Sequence, residues 1–139
     1  MHRAIRLTLA TLAGFVAGSA VNMGLVTLGG VVVPPPPGVD TTTMEGLAAA
    51  MPLFGPAHFV FPFLAHALGS LSGAVVATLL TPARTSGPAW TVGVLFLLGG
   101  CVAVWMLPAP VWFSALDLAL AYLPAAWLGH RLVAGSGRG

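Results

Sequence analysis

Three polar side chains stand alone inside long apolar stretches of the chain: Asn22, His66 and Asp117. An amide, an imidazole and a carboxylate are the groups that hold a proton, a cation or a hydrogen-bonding solute where water is scarce. Asn22 continues by four residues the spacing of Gly14 and Gly18, His66 shares a face with Gly69, Ser70 and Gly73, and Asp117 shares one with Ser114 and Ala121. All three are expected to face inward. Counted at helical rise from the ends of their apolar stretches, they lie roughly 16, 13 and 10 Å deep. At those depths they can meet. An unpaired aspartate there is costly, so Asp117 must be hydrogen-bonded, protonated or beside water, and a histidine is its natural partner. Two roles stay open for the cluster: a clamp that holds three helices in register, or a site for a proton, an ion or a small solute.

Other chemistry finds little support. His58 and His66 are eight residues apart, about 12 Å along a helix, too far for one metal ion. A haem held by two histidines needs a second deep histidine, and His2 and His130 fall at the ends of apolar stretches. Gly69-Ser70-Leu71-Ser72-Gly73 imitates a hydrolase nucleophile elbow but carries Leu71 where the nucleophile belongs. An intramembrane serine hydrolase using Ser70 or Ser72 with His66 lacks a definable oxyanion site. No metal and no cofactor are expected. Cys101 is the only cysteine, so it forms no intrachain disulfide, and within an apolar run it reads as a small packing residue.

The elements that position the cluster follow from composition. Hydrophobic residues make up 58% of the chain and charged residues 6%, against about 25% charged in a soluble domain. The surface is therefore expected to face lipid. Apolar runs extend over about 4–33, 57–81, 88–107 and 111–133. They are interrupted by Pro34-Pro35-Pro36-Pro37-Gly38, by Pro82 to Gly87 and by Pro108-Ala109-Pro110, where missing amides and ring clashes stop a helix. Runs of this length cross a hydrocarbon core of about 30 Å. The expected fold is all-α: a single integral-membrane domain built as a four-helix bundle. Arg3 and Arg6 ahead of an apolar stretch imitate a signal peptide, but that stretch continues to Val33, beyond the usual apolar region of such a leader, so a retained helix is expected.

The segment 34–56 is long enough for structure of its own. The prolines favour an extended path and Gly38-Val39-Asp40 a turn. Thr42-Thr43-Met44-Glu45 matches a capping box in which Thr42 and Glu45 cap a short extracytoplasmic helix running to about Met51. Met44, Leu47 and Met51 give that helix an apolar face, on the membrane surface or over the outer mouth of the bundle.

The proline run with Gly-Val-Asp (Pro34 to Asp40), Glu45, Leu47 and the small-residue spacing of Ala65 to Ala77 resembles a group of small uncharacterised bacterial four-helix membrane proteins. The resemblance covers about the first half of the chain. It implies an inner-membrane location and brings no catalytic residue, substrate or cofactor.

Gly14 and Gly18, and Ala65, Gly69, Gly73 and Ala77, are each spaced by four, and Gly93 and Gly100 by seven. Such stripes let helix backbones approach closely, within the chain or between copies, so a homo-oligomer or a larger membrane complex is among the expected partners. The arginines Arg3, Arg6, Arg84, Arg131 and Arg138 fall on one side of a four-pass arrangement, and Asp40 and Glu45 on the other. Scattered at helix ends, they form no nucleic-acid surface. The positive-inside rule then puts both termini in the cytoplasm, and Trp90 and Trp127 near one boundary with Trp105, Trp112 and Phe113 near the other complete two aromatic belts. Two function classes fit. The leading one is a non-enzymatic accessory or scaffold module that associates through small-residue faces; the other is a small transporter or channel using the Asn22, His66 and Asp117 cluster. Proton-coupled multidrug exporters are a weaker comparison, because the first three helices contain no acidic residue.

Overall fold

The computed structural model describes residues 2–136. Six α-helices carry the chain: α1 (Arg3–Val32), α2 (Met44–Ala50), α3 (Val60–Leu79), α4 (Gly87–Met106), α5 (Val111–Leu120) and α6 (Leu123–Gly135). Short 3-10 turns at Met51–Leu53, Pro56–Phe59 and Pro82–Arg84 join them, and no strand occurs among the described residues. Four helical segments are long and apolar enough to cross a membrane: Arg3–Val32, Pro56–Leu79, Gly87–Met106 and Val111–Gly135. Arg138 and the C-terminal Gly139 lie outside the described residues.

The central packing is made by residues that have almost no side chain. Gly14 lies against Gly73, and Gly18 against Gly69, so α1 and α3 run antiparallel. A Cβ added at Gly14 would stand 2.5 Å from the Gly73 carbonyl oxygen, and one at Gly73 would stand 2.7 Å from that of Gly14. The expected stripes thus join each other within the chain. On the opposite side of α3, Gly129 of α6 fits against the Leu71 carbonyl, and Ala74, Ala89 and Ala126 form a closed cluster between α3, α4 and α6. Large apolar side chains lie outside instead: Val16, Met23, Val31, Leu98, Val111 and Leu132 are exposed, and Trp105 is 86% exposed. Small residues within and large ones without is the arrangement close helix packing demands where the surroundings are as apolar as the side chains.

Two local expectations are corrected. The fourth apolar run is not one helix, since the backbone breaks at Ala121 and Tyr122, where Tyr122 has φ −112° and ψ −78°. Pro124 is the cause. It has no amide hydrogen for the Leu120 carbonyl, and its ring crowds the same group. The helix therefore ends and restarts, with Pro124 in the first turn of α6.

The cap of α2 is Thr43, not Thr42: its hydroxyl accepts the Gly46 amide at 3.0 Å. Thr42 is engaged elsewhere, donating its amide (2.9 Å) and its hydroxyl (2.5 Å) to Asp40 Oδ1. Glu45 occupies the first turn of α2 and is exposed, where its charge favours the helix N-terminus. The Thr42 hydroxyl, then its amide, hold the Asp40 carboxyl below the usual carboxylate range. A lowered carboxylate pKa means this turn is tightest above the ordinary value and loosens as pH falls through the lowered one. Thr43→Ala should cost about 1 kcal/mol of local α2 stability, read as faster hydrogen exchange at the Gly46 amide. Thr42→Ala should leave that amide protected, and equal exchange in the two variants would disprove the assignment.

Candidate functional site

Three side chains converge where α3, α5 and the start of α6 come together. Asp117 lies on the inner face of α5, and its side chain is 4% exposed. A carboxylate accepts only, so the Nδ1 proton of His66 is the donor, 2.8 Å from Oδ1 and 3.0 Å from Oδ2. Tyr122 donates its hydroxyl to Oδ2 at 2.9 Å, and its ring stacks beside the imidazole with centroids 5.5 Å apart. The broken helix makes this possible. In an unbroken helix a residue five beyond Asp117 points about 140° away from it, whereas the bend at Tyr122 swings the phenol back. On the facing helix Gly100 leaves room for it: a Cβ there would stand 2.5 Å from the Tyr122 hydroxyl.

The structure therefore brings together two of the three expected residues and replaces the third. Asn22 is half-buried on α1, and its Cβ packs beside Gly69; no hydrogen bond joins it to His66 or Asp117 among the described residues. Tyr122, the only tyrosine, takes its place. Two other polar pairs lie apart from this cluster. The Thr78 hydroxyl, which donates to the Ala74 carbonyl at 2.8 Å, lies 3.3 Å from His130 Nδ1. Arg84 donates to the Val133 carbonyl at 2.6 Å and so ties the turn after α3 to the end of α6. Ser70, one turn beyond His66, is fully buried, and its hydroxyl has no partner among the described residues.

The pair opens on a cavity of about 230 Å³. The polar residues His66, Asp117 and Ser114 lie together at one end; Phe59 and Phe113 flank them, and Gly100 and Ala103 of α4, with Leu107 just after it, close the far side. Leu47 and Met51, with Phe54 and His58 of the following segment, form the roof. Of the apolar face expected for the short helix, Leu47 and Met51 are turned onto this cavity, whereas Met44 is exposed. The His66 side chain is 25% exposed, and its Nε2 has no protein partner among the described residues. The neutral imidazole can therefore accept a hydrogen bond through Nε2, and the protonated one can donate.

His58 fixes the roof. Its Nδ1 accepts the Gly55 amide at 3.1 Å, which leaves the proton on Nε2 to be donated to the Pro34 carbonyl at 3.2 Å. Its ring stacks on Phe54, with centroids 4.8 Å apart. One histidine thus links the proline run to the segment entering α3. A second cavity of about 180 Å³, lined by Gly29, Pro35, Thr41 and Phe61, adjoins the first across His58, Leu47 and Phe54. The link through His58 carries no signal in sequence beyond the histidine itself, since its partners are backbone atoms.

No protein-family model, no curated protein and no solved structure matches the chain.

Proposed function

We propose that this chain is a four-pass protein of the bacterial inner membrane that admits a small solute from the outer side into the cavity beneath α2. Asp117 anchors that solute, and His66 carries the proton that accompanies its binding. The observation that carries this reading is a cavity of about 230 Å³ that reaches a carboxylate otherwise enclosed by protein. Clefts that are mostly apolar with a few converging polar groups are the usual form of small-molecule sites. An ionisable group at this depth in a membrane-spanning segment is a functional candidate by default.

The orientation rests on charge. The antiparallel pairing of α1 with α3 and the Arg84 contact with α6 put Arg6, Arg84 and Arg131 at one end of the molecule. Segment 34–59, with Asp40 and Glu45, is at the other. The positive-inside rule makes the arginine end cytoplasmic and the roof of the cavity external. Arg131 over the Trp127 ring, 5.4 Å from its centroid, suits an interfacial belt. The scaffold reading drew on small-residue faces available to partners, and Gly14, Gly18, Gly69 and Gly73 meet one another within the chain. The cavity is accordingly the better guide to function.

Single cysteines in a Cys101→Ala background test both parts, because Cys101 is exposed and must be removed. A membrane-impermeant thiol reagent added outside intact cells should modify Glu45→Cys but not Arg84→Cys. Labelling of Arg84→Cys from outside would invert the topology. Ser114→Cys, at the polar end of the cavity, should react with a small methanethiosulfonate reagent and be slowed by a bulky one. A Ser114→Cys protein that stays unmodified while Glu45→Cys reacts would mean that no solute reaches the pair, and the proposal would fall.

A further inference from the structure

Resting on the reading of the cavity as a solute site, we propose that its solute is a small organic cation with an apolar body, exchanged for one proton held by the His66–Asp117 pair. The charges of the cavity carry the inference. Asp117 is the only acidic residue within the apolar runs, and none of the described arginines, Arg3, Arg6, Arg84 and Arg131, lines the cavity. Two donors, His66 and Tyr122, converge on its carboxylate. The protein itself can neutralise that carboxylate only with a proton on the pair. A cation entering the cavity offers the alternative. An anion would meet a carboxylate with no arginine among the described lining residues to offset it, and the chain has no lysine.

The walls suit the same ligand. Phe54, Phe59 and Phe113 stand at different angles around the cavity, with the Phe59 centroid 6.1 Å from that of Phe54 and 4.7 Å from that of Phe113. Aromatic walls in a desolvated site attract cations and bury an apolar body at the same time. A cavity of about 150 Å³ holds benzene, so 230 Å³ admits one ring with a compact cationic head.

The exchange balances. Without ligand, the pair holds an Asp117 carboxylate and a His66 imidazolium, protonated on both nitrogens, with no net charge. As the cation enters, the Nε2 proton leaves to bulk solvent, Nδ1–H stays on Asp117, and the carboxylate and ligand cation again sum to zero. No bond to the ligand forms. The titratable groups facing His66 are Asp117 on α5 and Tyr122 in the break before α6; His58, in the 3-10 turn that leads into α3, lines the same cavity. From α1, α2 and α4 the lining residues Val26, Leu47, Gly100, Ala103 and Val104 carry no titratable group; Cys101 of α4 stands near Tyr122 and is not part of the lining.

The test is to titrate the full-length protein in weakly buffered detergent with benzyltrimethylammonium, whose permanent charge removes any titration of its own. Binding is followed by calorimetry and released protons by an indicator dye. About one proton should leave per cation bound, and the uncharged isostere neopentylbenzene should bind roughly tenfold or more weakly and release none. His66→Gln should bind the cation without proton release, and Asp117→Asn should lose most of the affinity. Equal binding of the two isosteres, absence of cation binding, or wild-type binding without proton release overturns the proposal, and each does so on the wild-type protein. If Ser114→Cys is still modified, the solute-site reading survives that failure; if Ser114→Cys is also closed to reagent, both fall.

Discussion

Gly73→Leu and Gly14→Leu should each cost about 3 kcal/mol or more of stability, whereas Gly24→Leu and Gly30→Leu should stay within about 0.5 kcal/mol. The contrast comes from what each new Cβ would meet. At Gly73 it would lie 2.7 Å from the Gly14 carbonyl oxygen and 2.9 Å from Val92 Cγ1, and at Gly14 it would lie 2.5 Å from the Gly73 carbonyl oxygen. Two of these three obstacles are backbone, which cannot rotate aside, so the helices must separate. At Gly24 and Gly30 nothing lies within 4 Å. Separation of α1 from α3 also removes Val26 from one side of the cavity, so the damaging variants should lose ligand binding as well as stability. Thermal unfolding in detergent of all four variants decides the matter. Comparable losses at Gly24 and Gly73 would show that the seam is not a close backbone contact.

This seam was legible in the sequence because a spacing of four small residues has one consequence in a helix: a groove along a single face. The limits of the long helices were legible for a similar reason. Pro34 and Pro108 cannot donate a helical amide, and α1 and α4 end at Val32 and Met106, each two residues before its proline. Pairing of His66 with Asp117 followed from depth, since both helices descend from the same end and the two residues fall at similar distances along them.

Depth carries no information about direction, and there the sequence reading failed for Asn22. Adjacent helix positions diverge by about 100°. Asn22 meets the face of α3 marked by Gly69, whereas His66 turns toward α5. Tyr122 was missed because an apolar run was read as one helix through Pro124, and the bend that proline causes is what aims the phenol. The shift of the α2 cap from Thr42 to Thr43 has a smaller cause: three threonines in succession offer equivalent hydroxyls, and Asp40 claims the middle one.

His66→Leu should be the most damaging change in the polar cluster, at about 3–5 kcal/mol, because it leaves a buried carboxylate with Tyr122 as its one remaining donor. Asp117→Leu should cost less, about 1–3 kcal/mol, since an imidazole and a phenol without a partner are neutral donors that can remain uncharged. Tyr122→Phe removes a single hydrogen bond to a charged group and should cost about 1.5–3 kcal/mol. The informative variant is the double one. With both His66 and Asp117 replaced by leucine, no uncompensated charge remains, so part of the loss should return and the two effects should fall short of additivity by about 1–3 kcal/mol. Unfolding in detergent, run as a full cycle of wild type, two single variants and the double variant, gives that coupling directly. Strict additivity would show that the contact of 2.8 Å contributes no coupling to stability. A stable double variant also separates the two roles open to the pair. A clamp is replaced by two leucines without consequence for binding, whereas a solute site loses its anchor; the recovered fold should therefore fail to bind benzyltrimethylammonium or to release a proton on its addition.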